Sequence, residues 1–271
     1  MPESISPPLL DREIVLSCLP APAAELLGEL DIQAVIDSTN AEALRRIAAG
    51  AGAGLVCVAE QQTAGRGRRG RNWISPFATN LYMSMVAEMG GGIAATQGLS
   101  LAVSVGVTDA LQHFGLNDVQ LKWPNDILYG DAKLGGILIE MSGDASGVCQ
   151  LVIGIGLNVR MPATAAADID QNWTDISRVV GAEVDRNALL AAMLAELLPL
   201  IFSFEEKGFS HWRQRWLDRD AYAGRRVVVH SGEQEIAGTV TGIDDCGALL
   251  LNTGSDIQVI HGGEVSLRPQ A

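Results

Sequence analysis

The chain has 271 residues, enough to bury a substantial core and to hold one large domain with a small companion. Hydrophobic residues at 48% against 19% charged describe a folded soluble protein, and no apolar run reaches the roughly 20 residues that cross a bilayer. With 32 acidic and 19 basic residues the formal net charge is −13, so most of the surface repels a polyanion such as DNA. The N-terminal Met1-Pro2-Glu3-Ser4 lacks the basic-then-apolar order of a secretory signal, which predicts a cytoplasmic protein. Cys18, Cys57, Cys149 and Cys246 are scattered and the four histidines lack ligand spacing, so buried free thiols are expected, with no disulfide and no structural metal.

Residues 9–30 alternate apolar and polar side chains around Pro20 and Pro22 and predict a short strand or helix rather than a separate domain. Val35-Ile36 predicts a short strand that ends in Asp37-Ser38-Thr39-Asn40, and residues 41–49 a helix that Ser38 or Thr39 is placed to cap. Residues 55–59 predict a buried strand, 81–86 an alternating strand, and 97–114 a helix. Between those strands lies Gly65-Arg66-Gly67-Arg68-Arg69-Gly70-Arg71, four arginines in seven residues. Glycine lets the backbone approach a ligand and arginine offers forked donors, so the segment reads as a clamp for a localised anion such as a nucleotide phosphate. A solvated linker and a nucleic-acid arm are the rival readings; the first fits poorly between two strands, the second poorly with the acidic whole.

Residues 119–123 predict a strand running into the turn Pro124-Asn125-Asp126; 127–129, 135–141 and 148–159 predict further strands, the last two meeting across Ser142-Gly143-Asp144. Residues 160–175 read as loop, 185–207 as a long helix kinked at Pro199, and 209–219 as another. Hairpins meeting helices without strict alternation predict an α+β fold. From about Gly224 five short strands (225–230, 234–243, 248–252, 257–260, 265–268) predict a small β-barrel, dividing the chain into domains at 1–222 and 223–271.

Five blocks in order carry a resemblance: Asp37-Ser38-Thr39-Asn40; Gln62 with Gly65 to Arg71 and Trp73; Lys122-Trp123-Pro124-Asn125-Asp126; Lys133-Leu134-Gly135-Gly136-Ile137-Leu138-Ile139-Glu140; and Gly154-Ile155-Gly156-Leu157-Asn158-Val159. Together they resemble the biotin protein ligases of the bacterial type. The resemblance implies a class II aminoacyl-tRNA synthetase-like catalytic domain with a mixed sheet and a C-terminal SH3-like barrel. It implies that ATP and biotin, with Mg²⁺ accompanying the ATP, form biotinyl-adenylate, and that a lysine of a biotin carboxyl carrier protein then takes the biotinyl group. Lys133 and Arg68 take the catalytic positions. Ser38, Thr39, Asn40, Gln62, Gly65, Arg66, Gly67, Arg68 and Lys133 take the biotin positions, and Arg68, Arg71, Asn158 and Trp173 the nucleotide positions.

For Asp126 three roles stay open: water-mediated Mg²⁺ binding, orientation of a lysine, or structural hydrogen bonding. Trp173 either stacks on adenine or anchors its loop. Some family members carry an N-terminal DNA-binding winged helix; its absence from this pattern implies no repressor role and no DNA partner, and a homodimer is compatible with the exposed sheet edges. A lipoate or octanoate ligase of the same fold is the nearest alternative. A non-catalytic nucleotide or nucleic-acid binder is the alternative from another class.

Overall fold

The computed structural model describes residues 8–143, 147–231, 234–262 and 265–269. The chain enters through two short helices, α1 (Arg12–Ser17), capped by Asp11, and α2 (Ala21–Leu26), with Pro22 in its first turn. Both fall where a strand was equally expected. The strand β1 (Glu29–Ile36) then begins well before Val35, and α3 (Thr39–Ala48) crosses from it to β2 (Leu55–Gln62), which lies parallel to β1. After the arginine segment come β3 (Leu81–Met89), α4 (Leu99–Gln112), β4 (Val119–Lys122), β5 (Asp126–Tyr129), β6 (Ala132–Gly143) and β7 (Cys149–Leu157). β6 and β7 pair antiparallel, and Asp144 of the expected turn lies outside the described residues. These strands form one mixed seven-stranded sheet in the order β1-β2-β3-β7-β6-β5-β4, with every pair except β1 and β2 antiparallel.

Strand residues alternate between the two faces of this sheet. Val56, Val58, Met83, Met85, Ile153 and Ile155 enter the large core beside α4 and the helices that follow, α5 (Ile176–Val180), α6 (Arg186–Lys207) and α7 (Ser210–Leu217). The alternate residues Leu55, Cys57, Val86 and Val152 pack under Ala43 of α3. The face bearing α3 is therefore only partly covered, and the uncovered part holds the cleft described below.

Helices α4 and α6 approach closely: a Cβ on Gly106 would lie 2.9 Å from a Leu197 methyl, closer than real side chains pack. α6 runs unbroken through Pro199. It holds no unbroken apolar run of about 20 residues, but by length and the mean hydropathy of 1.8 of its most apolar 18 residues it is apolar enough to cross a bilayer; 61% of that window is buried inside the fold. Across the sheet, the β2 residue Glu60 pairs with Arg186 at 2.5 Å; both are buried, and Arg186 also donates to the carbonyls of Asn80 and Pro8.

The C-terminal segment forms β8 (Arg226–Ser231), β9 (Gln234–Ile243), β10 (Leu249–Asn252), β11 (Ile257–Ile260) and β12 (Val265–Pro269), close to the five expected strands. They make an antiparallel sheet in the order β11-β10-β9-β8-β12. The edges β11 and β12 do not pair among the described residues, so the expected barrel is seen only as an antiparallel five-stranded sheet. Two other expectations need correction. Cys18 and Cys246 are exposed, only Cys57 and Cys149 being buried, and burial pushes the Cys57 thiol up to about 12. Residues 160–175 also include a short 3-10 turn at Ala165–Asp168.

The two sheets are tied together at β4. Leu121 donates to the carbonyl of Arg219 and accepts from Ala221, closing that edge, and the Trp123 indole donates to the Gly247 carbonyl at 3.0 Å. Asp220 sits in this junction with Oδ2 buried and without a hydrogen-bond partner among the described residues. Burial, opposed by the backbone hydrogen bond from Tyr222, raises its carboxyl from 3.8 to about 6. A folded-state value above the unfolded one means that the native protein binds this proton more tightly. Its stabilising contribution is complete below about pH 4 and is lost as pH rises through 6. In urea unfolding between pH 4 and 7 the wild type should lose stability relative to Asp220→Asn; a pH-independent difference would contradict this assignment.

Candidate active site

The open face of the large sheet carries glycines where side chains would fill it. A Cβ on Gly154 would lie 2.2 Å from Asn40 Oδ1, and one on Gly156 would lie 2.5 Å from the Trp73 indole. These two β7 positions, facing the same way as Val152, let Asn40 and Trp73 rest against the strand backbone. Gly154→Ala is expected to force Asn40 aside and to cost about 1–3 kcal/mol as an overpacked substitution. Urea unfolding measures that loss, and an unchanged midpoint would show that the site yields.

Ser38 precedes α3 in extended conformation but its side chain makes no capping hydrogen bond, so the capping role expected for Ser38 or Thr39 is not what holds these residues. Asp37 does the local work. Its carboxylate accepts from Ser38 N and from both terminal nitrogens of Arg45, and the Arg45 hydrogen bonds hold it well below the usual carboxylate range. Ser38, Thr39 and Asn40 are buried side by side at the cleft floor. Gln62 faces them across the β1 to β2 crossover: its Oε1 accepts from Thr39 N at 2.9 Å and lies 3.1 Å from Thr39 Oγ1, while its Nε2 donates to Ser75 Oγ.

The arginine segment forms one wall. Gly65 is crowded by Trp73 O, where a Cβ would lie at 2.6 Å, and Gly67 N donates to Arg71 O, folding the segment back on itself. Arg69 takes a positive φ of 59° inside the turn at Arg68–Gly70. Arg68 reaches Asn125 Oδ1 at 2.9 Å, and burial lowers its pKa from the ordinary guanidinium value. Arg66 pairs with Glu140 of β6 at 3.2 Å.

Lys133 enters at the start of β6. Its ammonium lies 2.6 Å from Asp126 Oδ1 and 5.5 Å from the centre of the Trp73 ring, and Lys122 lies 3.8 Å from Asp126 Oδ2. Asp126 thus pairs with both lysines. Asn158, also buried, donates to the carbonyls of Thr174 and Lys133, and Lys133 pairs through its backbone with residues 172–174. Trp173 is thereby fixed beside Lys133, and one face of its ring is covered by the Arg178 guanidinium at 4.1 Å.

Two clefts result. The first is lined by Ser38, Thr39, Asn40, Gln62, Arg66, Gly67, Arg68 and Asp126; the second by Asn158, Met161, Asp170 and Trp173. Arg71, Trp73 and Lys133 line both. The site residues expected from the sequence each line one of these two clefts, except Gly65, which packs against the Trp73 backbone. Trp73 and Asn125 also line the first cleft, and Glu140 and the buried Ser84 stand behind it, hydrogen-bonded to Asn40; none of the four was assigned a role from the sequence. Trp73, Asn125 and Glu140 stood inside the sequence blocks, whereas Ser84 gave no signal beyond being a hydroxyl on an apolar strand.

The Biotin/lipoate A/B protein ligase family model matches residues 32–158, and the Biotin protein ligase C terminal domain model matches residues 222–268. Over 251 residues the chain is 41% identical to the bifunctional ligase/repressor BirA of Escherichia coli (strain K12), covering 91% of this chain and 78% of that protein. The chain belongs to the biotin protein ligase family. It is 36% identical over 237 residues to the biotin–[acetyl-CoA-carboxylase] ligase of Paracoccus denitrificans, covering 84% of this chain and 96% of that one. The biotin protein ligase of Aquifex aeolicus, solved in complex with biotin and ATP, superposes with a TM-score of 0.77 at 30% identity, covering 90% of this chain and all of that one. This biotin protein ligase therefore has the family's mixed sheet and a C-terminal antiparallel sheet, and it is an enzyme of the ligase class.

Proposed function

We propose that the chain uses ATP to activate biotin as biotinyl-5'-AMP and then transfers the biotinyl group to a lysine of a biotin carboxyl carrier protein. The observation that carries this reading is the position of Lys133, which belongs to both clefts at once. An acid held in the first cleft and a nucleotide held in the second meet beside one ammonium. A biotin carboxylate oxygen then attacks the α-phosphorus and pyrophosphate leaves; in the second step the carrier amine attacks the acyl carbon and AMP leaves.

Two anions must approach each other in the first step, and cations between them lower that repulsion. Lys133 and Arg68 fill that role, with Asp126 aiming the lysine. The first cleft has the neutral donors and acceptors that a cyclic urea requires, from Ser38, Thr39, Asn40 and Gln62, with the backbone of Gly65, Arg66 and Gly67 as its lid. Arg68 and Arg71 face the phosphates, and Asn158 and Trp173 frame the base. Mg²⁺ accompanying ATP would be held by phosphates and waters rather than by a cluster of protein ligands, and would supply charge neutralisation on the leaving pyrophosphate. Residues 1–222 are read as the class II synthetase-like catalytic domain and 223–271 as the SH3-like domain. The names of relatives that act on acetyl-CoA carboxylase support a carboxyl carrier as acceptor.

Pyrophosphate exchange, run with biotin and with lipoate in turn, tests the acid. Intact-mass measurement of a carrier domain then tests the transfer. Exchange with biotin and one added biotinyl group is the expected result; exchange with lipoate alone would overturn the reading, because a dithiolane leaves the first cleft's buried polar groups unpaired.

A further inference from the structure

Glu140 makes two contacts that the adenylation scheme does not use. Its Oε2 accepts from Asn40 Nδ2 at 2.6 Å and lies 3.2 Å from Arg66 Nη2. An ionised carboxylate can only accept, so Glu140, with the Leu138 carbonyl 3.4 Å from the same nitrogen as a weaker second acceptor, sets which end of the Asn40 amide it receives. Nδ2 turns towards Glu140, and Oδ1 is left facing Ser84 Oγ at 2.6 Å. A second acceptor lies at the other end of the same row. The Trp73 carbonyl accepts from Ser75 Oγ at 3.0 Å, Ser75 Oγ accepts from Gln62 Nε2 at 3.1 Å, and Gln62 Oε1 is thereby turned towards Thr39.

Between these two ends lie the hydroxyls of Ser84 and Thr39, 2.7 Å apart and both buried. Each carries a single proton, yet three oxygen-to-oxygen contacts share them: Ser84 with Asn40 Oδ1, Ser84 with Thr39, and Thr39 with Gln62 Oε1. The carboxylate at one end and the carbonyl at the other draw both protons outward. Ser84 Oγ is placed to donate to both Asn40 Oδ1 and Thr39 Oγ1, so a proton drawn to Asn40 is one not given to Thr39. Thr39 lines the first cleft, so its oxygen has a lone pair to offer a ligand there.

We propose that Glu140 is a positioning residue that sets the direction of this hydrogen-bond row and so makes Thr39 an acceptor for a ligand N–H, such as that of a cyclic urea. The proposal rests on the biotin reading of the first cleft. Glu140 itself does not touch the ligand; it acts through Asn40 and Ser84. A neutral amide at this position can donate to Asn40, oppose the long Nδ2 bond to the Leu138 carbonyl that also orients it, and send the Ser84 proton onto Thr39, which occupies one of the two Thr39 lone pairs and weakens it as an acceptor.

Calorimetric titration with biotin tests this on four full-length proteins: wild type, Glu140→Gln, Asn40→Asp, and the double variant. Each single variant is expected to weaken binding about tenfold, the size of one lost hydrogen bond. In Asn40→Asp two carboxylates face each other. In the double variant the introduced amide donates to the introduced carboxylate, which again accepts from Ser84, so the original direction returns and affinity should come within about threefold of wild type. The loss in Glu140→Gln should fall mainly on KM for biotin rather than on kcat. Recovery in a double-mutant cycle separates polarity from packing, because two independent structural defects would add.

Wild-type affinity in Glu140→Gln, or a double variant as weak as the two singles combined, would overturn the proposal alone. Absence of biotin binding by the wild type would overturn the biotin reading and the proposal together.

Discussion

Lys133→Ala lowers the rate of biotin-dependent pyrophosphate exchange by roughly 10²–10³-fold, the size expected when one preorganised charge aimed at a transition state is removed. The ammonium is held 2.6 Å from Asp126 where the two clefts share their lining; Arg71 lines both clefts too, but it is Lys133 that Asp126 holds. Lys122 is 3.8 Å from the other oxygen of Asp126 but lines only the first cleft. Lys133→Arg is expected to recover only part of the rate, because a planar fork does not reproduce a compact point charge. Exchange kinetics at saturating ATP and biotin check both variants. A Lys133→Ala enzyme with near-normal kcat would remove this lysine from the chemistry.

The second large effect concerns stability. Arg186→Ala leaves Glu60 buried at 2% exposure with no cation, and breaking a buried pair by removing one partner costs about 3–5 kcal/mol. The loss is compounded at the chain's entry. Arg186 donates to the Pro8 carbonyl and Glu60 accepts from Leu10 N at 2.5 Å, so the pair fastens the segment leading into α1 onto the β2 strand. Urea unfolding reads the change. The double variant Glu60→Gln, Arg186→Met should recover at least half of it, since it leaves no unpaired charge. A single variant within 1 kcal/mol of wild type would show that the carboxylate finds other solvation.

Which parts of this structure could be read from sequence follows from what each part depends on. β7 was legible because its run of apolar residues and glycines is set by its own two faces, and α4 because its side chains are apolar nearly all round. β1 was located too late. Its Glu29-Leu30-Asp31-Ile32-Gln33-Ala34 does alternate polar and apolar, but it is an edge strand in which only Leu30 is fully buried, and the alternation was not followed across the boundary at residue 30. The five C-terminal strands were visible as turn-bounded runs, but whether a sheet closes depends on the pairing of its edges, which no single strand encodes.

The same division applies to the site. The arginine segment stood out because charge between apolar strands needs a reason, and Lys133 through the resemblance of its block to the biotin protein ligases. Glu140 did not, because its contacts with Asn40 and Arg66 span 100 and 74 residues and exist only once β6 places its carboxylate beside α3. The polar residues at the head of α3 were readable as a cluster. Their purpose as caps was misread, since the capping pattern and a binding pattern draw on the same small hydroxyl and amide side chains.

A crystal structure of the protein with biotin and a non-hydrolysable ATP analogue tests the central claim most directly. The account predicts the biotin carboxylate and the α-phosphate both within hydrogen-bonding distance of Lys133 Nζ, the acid lying over Gly154 and the nucleotide beside Asn158. Either ligand found away from that ammonium, or the two ligands in exchanged clefts, would contradict it.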